Sequence, residues 1–138
     1  MKRTIAIVLF LTVMLTLIAC DVGYASSYRA IALVQSNGRT SYRISFYELT
    51  GTATATIRRT EAGEGELYYS ASLEAGEVNV YYDANGVKEL LFTVKGGETV
   101  EGRGGYVEEG RRIYIIVETV GEAKNGSIRI GTKPVKED

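Results

Sequence analysis

Residues 41–57, SYRISFYELTGTATATI, alternate polar and apolar side chains in two successive blocks. Tyr42, Ile44 and Phe46 fall on one side of an extended chain, with Arg43, Ser45 and Tyr47 on the other. Past a break at Thr50-Gly51, Ala53, Ala55 and Ile57 oppose Thr52, Thr54 and Thr56. A period of two belongs to a strand, whose successive side chains point to opposite faces. One face of each block is therefore a core face, and it needs a second layer to cover it.

The same alternation recurs along the chain. Leu67, Tyr69, Ala71 and Leu73 repeat it, as do Val78, Val80 and Tyr82, then Leu90, Phe92 and Val94, then Ile113, Ile115 and Val117, and last Ile128 and Ile130. With an earlier segment, Tyr28 to Val34, about eight strands are expected, enriched in the Val, Ile, Thr and Tyr that suit a half-buried pleated surface. Asn37-Gly38, Asn85-Gly86 and Asn125-Gly126 separate them. Asn-Gly is a strong hairpin signal, because both residues tolerate the positive φ of a type I′ turn. Further breaks at Ala62 to Gly65, Ala75-Gly76, Gly96-Gly97 and Gly121 leave segments of about 8 to 12 residues, which suits a sandwich or barrel and leaves helices almost no room. The expected fold is all-β, a single antiparallel β-sandwich over residues 28–132, with a polar tail at 133–138.

The first nineteen residues read as a removable leader rather than as part of the fold. Lys2 and Arg3 give a positive start, and residues 5–18 form an apolar run broken by Thr12 and Thr16. That run is short of the roughly 20 apolar residues an uncleaved membrane helix needs. Leu17, Ile18, Ala19 and Cys20 resemble the lipobox of bacterial lipoprotein precursors. The resemblance implies cleavage after Ala19, a diacylglycerol on the Cys20 thiol, and Cys20 as the mature N-terminus. Residues 20–27 then serve as lipidated terminus and tether, and the domain sits at a bacterial cell membrane facing away from the cytoplasm. Several acyl chains give stable attachment where one is marginal, since each buried methylene contributes about 0.8 kcal/mol. Asp21 is similar to the inner-membrane retention signal of Gram-negative enterobacteria.

The mature part of the 138-residue chain is mildly acidic: all seventeen acids follow residue 20, and removing Lys2 and Arg3 from sixteen bases leaves fourteen, a net charge of −3. Nucleic acid is not an expected partner. No disulfide can form from one cysteine, so the hydrophobic core must hold the domain alone.

The stretches FYELTGTATATI, GELYYSASLEAGEVNVYYDANG and RRIYIIVETVGEAKNGSIRI resemble small Firmicute lipoproteins of unassigned function and, more distantly, the jelly-roll-like β-sandwich of bacterial pre-peptidase C-terminal domains. Tyr114 on the penultimate strand and Gly126 before the last carry that likeness. It implies a jelly-roll-like sandwich and no catalytic residues.

Chemistry is narrowly bounded. With no histidine and its one thiol expected to be acylated, the chain excludes Ser-His-Asp and Cys-His catalysis and His-ligated zinc. Glu108-Glu109 and Glu98 with Glu101 are the available carboxylate clusters, but they sit beside glycines in expected turns, where charges are ordinarily solvated. Asp83-Ala84-Asn85-Gly86 resembles a fragment of a calcium loop without its later bidentate glutamate, and a plain hairpin turn accounts for it. Gly96-Gly97 and Gly102 to Gly105 lack the helix and Gly-Lys-Ser/Thr that a phosphate cradle requires. Arg111-Arg112 reads as a solvated strand start. No cofactor, metal or catalytic residue is expected.

Ten tyrosines without a tryptophan remain. Tyr68-Tyr69 and Tyr81-Tyr82 each send one ring inward and one outward. Tyr68 and Tyr81, with Tyr47 and Tyr114, are the candidate partner-binding residues, because tyrosine offers a large rigid area with a polar tip. Cross-strand ring pairing is the simpler explanation. The expected function is a membrane-anchored, non-catalytic module that binds an envelope or extracellular protein or glycan. The alternatives are an inhibitor or immunity-type lipoprotein that places the Gly96 to Gly110 loop in an enzyme's cleft, and a carbohydrate-binding accessory domain.

Replacing Cys20 with serine should abolish lipid attachment and leave the precursor uncleaved. Metabolic labelling with an alkynyl fatty acid measures this, and equal labelling of both forms would rule out the anchor.

Overall fold

The structure is a computed structural model, and it describes residues 23–59, 65–108 and 110–133. The leader with Cys20, the break at residues 60–64, Glu109 and most of the C-terminal tail lie outside these residues. The described chain is all-β, in eight antiparallel strands: β1 (Ser27–Ile31), β2 (Val34–Asn37), β3 (Ser41–Arg58), β4 (Leu67–Ala75), β5 (Glu77–Asp83), β6 (Glu89–Lys95), β7 (Glu98–Gly104) and β8 (Arg112–Gly131).

β3 and β8 pair along almost their whole lengths and belong to both layers of the sandwich. In the first layer, residues 41–50 of β3 and 122–131 of β8 run between β2 on one side and β4 and β7 on the other. In the second, residues 52–58 of β3 and 112–119 of β8 continue into β5 and β6. β1 pairs with residues 48–52 of β3, across the junction. The apolar faces meet between the layers: Ile44, Leu49, Ile57, Val78, Val80, Ile113, Ile115, Ile128 and Ile130 are all buried there. Tyr69 of β4 stacks on Phe92 of β6 with ring centroids 4.2 Å apart, joining the layers where no hydrogen bonds do.

Four sequence expectations are corrected. Thr50-Gly51 does not end a strand. The chain passes through it as a bulge between Thr50 and Thr52, so the blocks at 42–46 and 53–57 are one 18-residue strand. Gly51 has a φ of 121°, and a Cβ there would stand 2.3 Å from the Ser27 carbonyl oxygen of β1. Only glycine accepts both the conformation and the close approach. Asn125-Gly126, likewise, is no hairpin. It is a kink inside the 20-residue β8, with Asn125 at a φ of 48° and the Phe46 ring lying over Gly126. Conversely, Tyr28 to Val34 is two strands, divided at Ala32, whose φ is 52°.

The last correction concerns residues 96–110. They are not a free loop: Gly96 and Gly97 make a tight turn, residues 98–104 form β7 against β4, and Val107 is buried with its N–H donating to the Gly65 carbonyl. β7 escapes a reading by periodicity because ETVEGRG offers a single apolar side chain.

Two substitutions probe this arrangement. Ile115→Asp should unfold the domain, since an uncompensated charge in a dry core costs several kcal/mol against a total stability of about 5–15 kcal/mol. Gly126→Ala should cost about 1–3 kcal/mol through overpacking against the Phe46 ring, three of whose atoms would lie within 2.8 Å of the new Cβ. Combined with Phe46→Ala it should cost less than the two single changes summed, in a denaturation cycle.

Candidate functional site

A sandwich has two outer faces, and here they differ in kind. The outer face of the second layer is built around Ile116, which alternates away from the core at Ile115 and yet is only 1% exposed. Its cross-strand neighbours are Thr54 of β3 and Tyr81 of β5, and Tyr114 and Glu118 stand before and after it on β8. Lys88 lies over the Tyr81 ring at 4.4 Å and donates to Glu118 at 2.5 Å. Tyr114 meets the ring of Tyr24 edge-on, centroids 5.3 Å apart.

Tyr24 comes from the segment ahead of β1. Ser26 Oγ accepts from the Thr54 N–H at 2.9 Å, the Tyr24 carbonyl accepts from Thr54 Oγ1 at 3.2 Å, and the Tyr24 hydroxyl donates to Asp83 at 2.7 Å. Residues 24–26 therefore lie beside Thr54 of β3, and the Tyr24 side chain reaches past Tyr114 of β8 to Asp83 at the end of β5. Asp83, buried at 6% exposure, also accepts from the Asn85 and Gly86 N–H groups at 3.2 and 2.7 Å. Its carboxylate organises the β5–β6 hairpin, so the calcium-like fragment acts as a turn. Among the described residues no cluster of metal-binding side chains occurs. The hydrogen bond to Asp83, aided by desolvation and by the nearby carboxylate charge, pushes the Tyr24 phenol up to about 12.

The structure thus separates the four candidate tyrosines. Tyr81 and Tyr114 share this face, but their rings are engaged by Lys88 and Tyr24. Tyr47 and Tyr68 lie on the outer face of the first layer, which the described chain leaves open. By alternation and register, that face presents Val34 and Ser36 of β2; Arg43, Ser45 and Tyr47 of β3; Ser127 and Arg129 of β8; Tyr68, Ser70 and Ser72 of β4; and Thr99, Glu101 and Arg103 of β7. Hydroxyls run straight across it: Ser45 opposes Ser127, with oxygens 3.4 Å apart, Ser127 opposes Ser72, and Ser72 opposes Thr99. Tyr47 is 52% exposed. Tyr68 is level with Ser41, six positions along and two strands across from Tyr47, which places the rings about 20 Å apart. A hollow of ≈380 Å³ opens between Val34, Ser36, Arg43 and Ser45.

A second concavity of ≈790 Å³ borders β1 at the bend, where Arg29, Glu48 and Glu122 mix their charges. The carboxylate clusters do not converge. Glu98 accepts from the Lys95 N–H in the β6–β7 turn, while Glu101, three residues on along β7, faces the other way. Glu108 pairs with Arg111 at 2.9 Å, and Glu109 lies outside the described residues. Arg112 opposes Arg58 at the start of β8.

Periodicity could not have found Tyr24, Lys88 or Asp83, which meet only through the fold. Ile116 did leave a signal. Ile115-Ile116-Val117 breaks the alternation with a continuous apolar run, the mark of a strand covered on both faces.

Tyr24→Phe should lower stability by about 1 kcal/mol at neutral pH, because it leaves an Asp83 oxygen without its donor. The wild type's phenol is raised in the folded state, so its contribution is complete below the unfolded value near 10 and disappears as pH climbs toward about 12. The variant should lack that alkaline loss and show one fewer late-titrating phenol in the ultraviolet phenolate absorbance.

No protein-family model and no curated protein matches the chain. Among solved structures, it is similar to the C-terminal family 6 carbohydrate-binding module of LamC, a marine laminarinase from Zobellia galactanivorans, at 9% identity over 78% of this chain and 99% of that one, with a TM-score of 0.42. A family 29 carbohydrate-binding module complexed with mannohexaose gives 15% identity, 79% and 90% coverage and a TM-score of 0.40. The cupin domain of a transcriptional regulator from Enterobacter cloacae gives 13%, 78% and 100%, and 0.35. At such identities and TM-scores these likenesses have no bearing on which ligand this chain binds.

Proposed function

We propose that this chain is a non-catalytic binding module, anchored at the membrane through Cys20, whose first-layer outer face holds an extracellular glycan. The open face carries the reading. It is a broad β surface, left open by the described residues, with rows of hydroxyls, three arginines and two tyrosines about 20 Å apart. Hydroxyl and guanidinium groups supply the donors and acceptors that a sugar's own hydroxyls need. Tyrosine rings supply flat apolar area for the faces of sugar rings. Length favours an extended chain that spans several sugars over a small molecule, which would seek an enclosed pocket.

The anchor fits the same geometry. Tyr24 is docked on the second layer and follows Cys20 by four residues, so an acylated Cys20 would hold the domain within about 14 Å of its lipid attachment. The anchored segment leaves from the covered face. The open face lies on the other side of the sandwich, directed away from the docked segment. An inhibitor-type role through residues 96–110 is less suited, since those residues are strand and pinned segment rather than a projecting loop.

Tyr47→Ala should leave the melting temperature nearly unchanged, because an exposed side chain contributes little to folding. It should weaken glycan binding about thirty-fold, equivalent to about 2 kcal/mol. A glycan array followed by titration calorimetry on the full chain in mild detergent measures the binding, and a thermal scan of the same sample measures the melting temperature. Capture of an envelope protein at unchanged affinity by Tyr47→Ala and Tyr68→Ala, with no glycan bound, would replace this reading with a protein-binding one.

A further inference from the structure

On the open face, Arg43 of β3 and Arg129 of β8 are direct cross-strand partners. Side chains so placed have Cβ atoms about 5 Å apart, and like charges in that position destabilise a sheet. Several other cations of the domain are engaged, Arg103 with Glu66 at 3.2 Å, Arg111 with Glu108 at 2.9 Å, and Arg59 with the Val107 carbonyl at 3.3 Å. Among the described residues, the side chains of Arg43 and Arg129 have neither an ion pair nor a hydrogen bond. Arg43 is exposed and Arg129 half-buried. Ser36 flanks Arg43 and Ser70 flanks Arg129 in the same row, and the ≈380 Å³ hollow opens beside Arg43. The carboxylate in that row, Glu101, comes only beyond Ser70.

Two neighbouring guanidiniums without a carboxylate between them match an oxyanion. Each presents a planar fork of N–H donors, and the fork cannot be deprotonated at ordinary pH. Serine hydroxyls on either side add donors for the remaining oxygens. We infer that the open face selects an anionic glycan, one bearing sulfate or phosphate ester groups, and that Arg43 and Arg129 jointly bind one such group. This rests on the glycan reading of the face. It adds a substrate class that the mildly acidic mature chain would not otherwise suggest, because an overall negative charge repels polyanions.

The test compares dextran, dextran sulfate and inorganic polyphosphate as ligands for the full chain in mild detergent, with wild type and the Arg43→Gln/Arg129→Gln double variant. The expected result is that wild type binds dextran sulfate at least tenfold more tightly than dextran, with an affinity that falls as salt rises. The double variant should lose that preference, keep its affinity for dextran, and melt no lower than wild type once the opposed charges are gone. Equal wild-type affinity for the two dextrans, or a folded double variant that retains the preference, would overturn the inference while leaving the glycan reading intact. Arginine-dependent binding of polyphosphate with neither dextran bound would overturn the glycan reading instead, and leave the anion site standing.

Discussion

The ladder between β3 and β8 sets the geometry of everything else. A strand fixed in one layer can choose its neighbours only within that layer, but these two are shared by both, so the position of one determines the frame of the other. Each long strand therefore has to turn from the first layer to the second without surrendering its hydrogen bonds. Gly51 does this in β3 by accepting a left-handed conformation at the bulge and the close approach of β1. In β8 the positive φ of Gly121, opposite the bulge in β3, does the corresponding work. Because the ladder spans both layers, a defect near the bend should be felt through the whole domain rather than in one loop.

The shared ladder also explains why the two outer faces have such different fates. On the second layer, the segment ahead of β1 is held at Thr54 of β3, and its Tyr24 side chain reaches past β8 to Asp83. With Tyr24 in place, Ile116 is buried, and the half-buried rings of Tyr81 and Tyr114 are engaged by Lys88 and Tyr24. On the first layer no described segment crosses, and the side chains that alternate outward remain available: serines in rows, Tyr47, and two arginines set opposite each other. A sheet assembled for stability alone would not favour that charge pair. Its presence on the face that the described residues leave open is what links the fold to the function proposed here.

The sequence by itself determined the class of the fold and the limits of its chemistry. Alternation at Tyr42, Ile44 and Phe46, at Ala53, Ala55 and Ile57, and at Ile113, Ile115 and Val117 identified core faces that the structure buries, because side-chain period is a property of the extended backbone alone. The absence of histidine removed most familiar catalytic arrangements without reference to shape. Tertiary structure decided the rest. Asn125-Gly126 satisfies a local rule for hairpins, yet pairing with β3 on one side and β4 on the other holds it in a strand. β7 has too few apolar side chains to announce itself and becomes a strand through its ladder with β4. The four outward tyrosines are equivalent by periodicity. Tyr81 and Tyr114 become structural, and Tyr47 and Tyr68 stay on an open surface, because coverage depends on where a segment remote in sequence comes to rest. Arg43 and Arg129 are eighty-six positions apart, and only the register of β3 against β8 makes them neighbours.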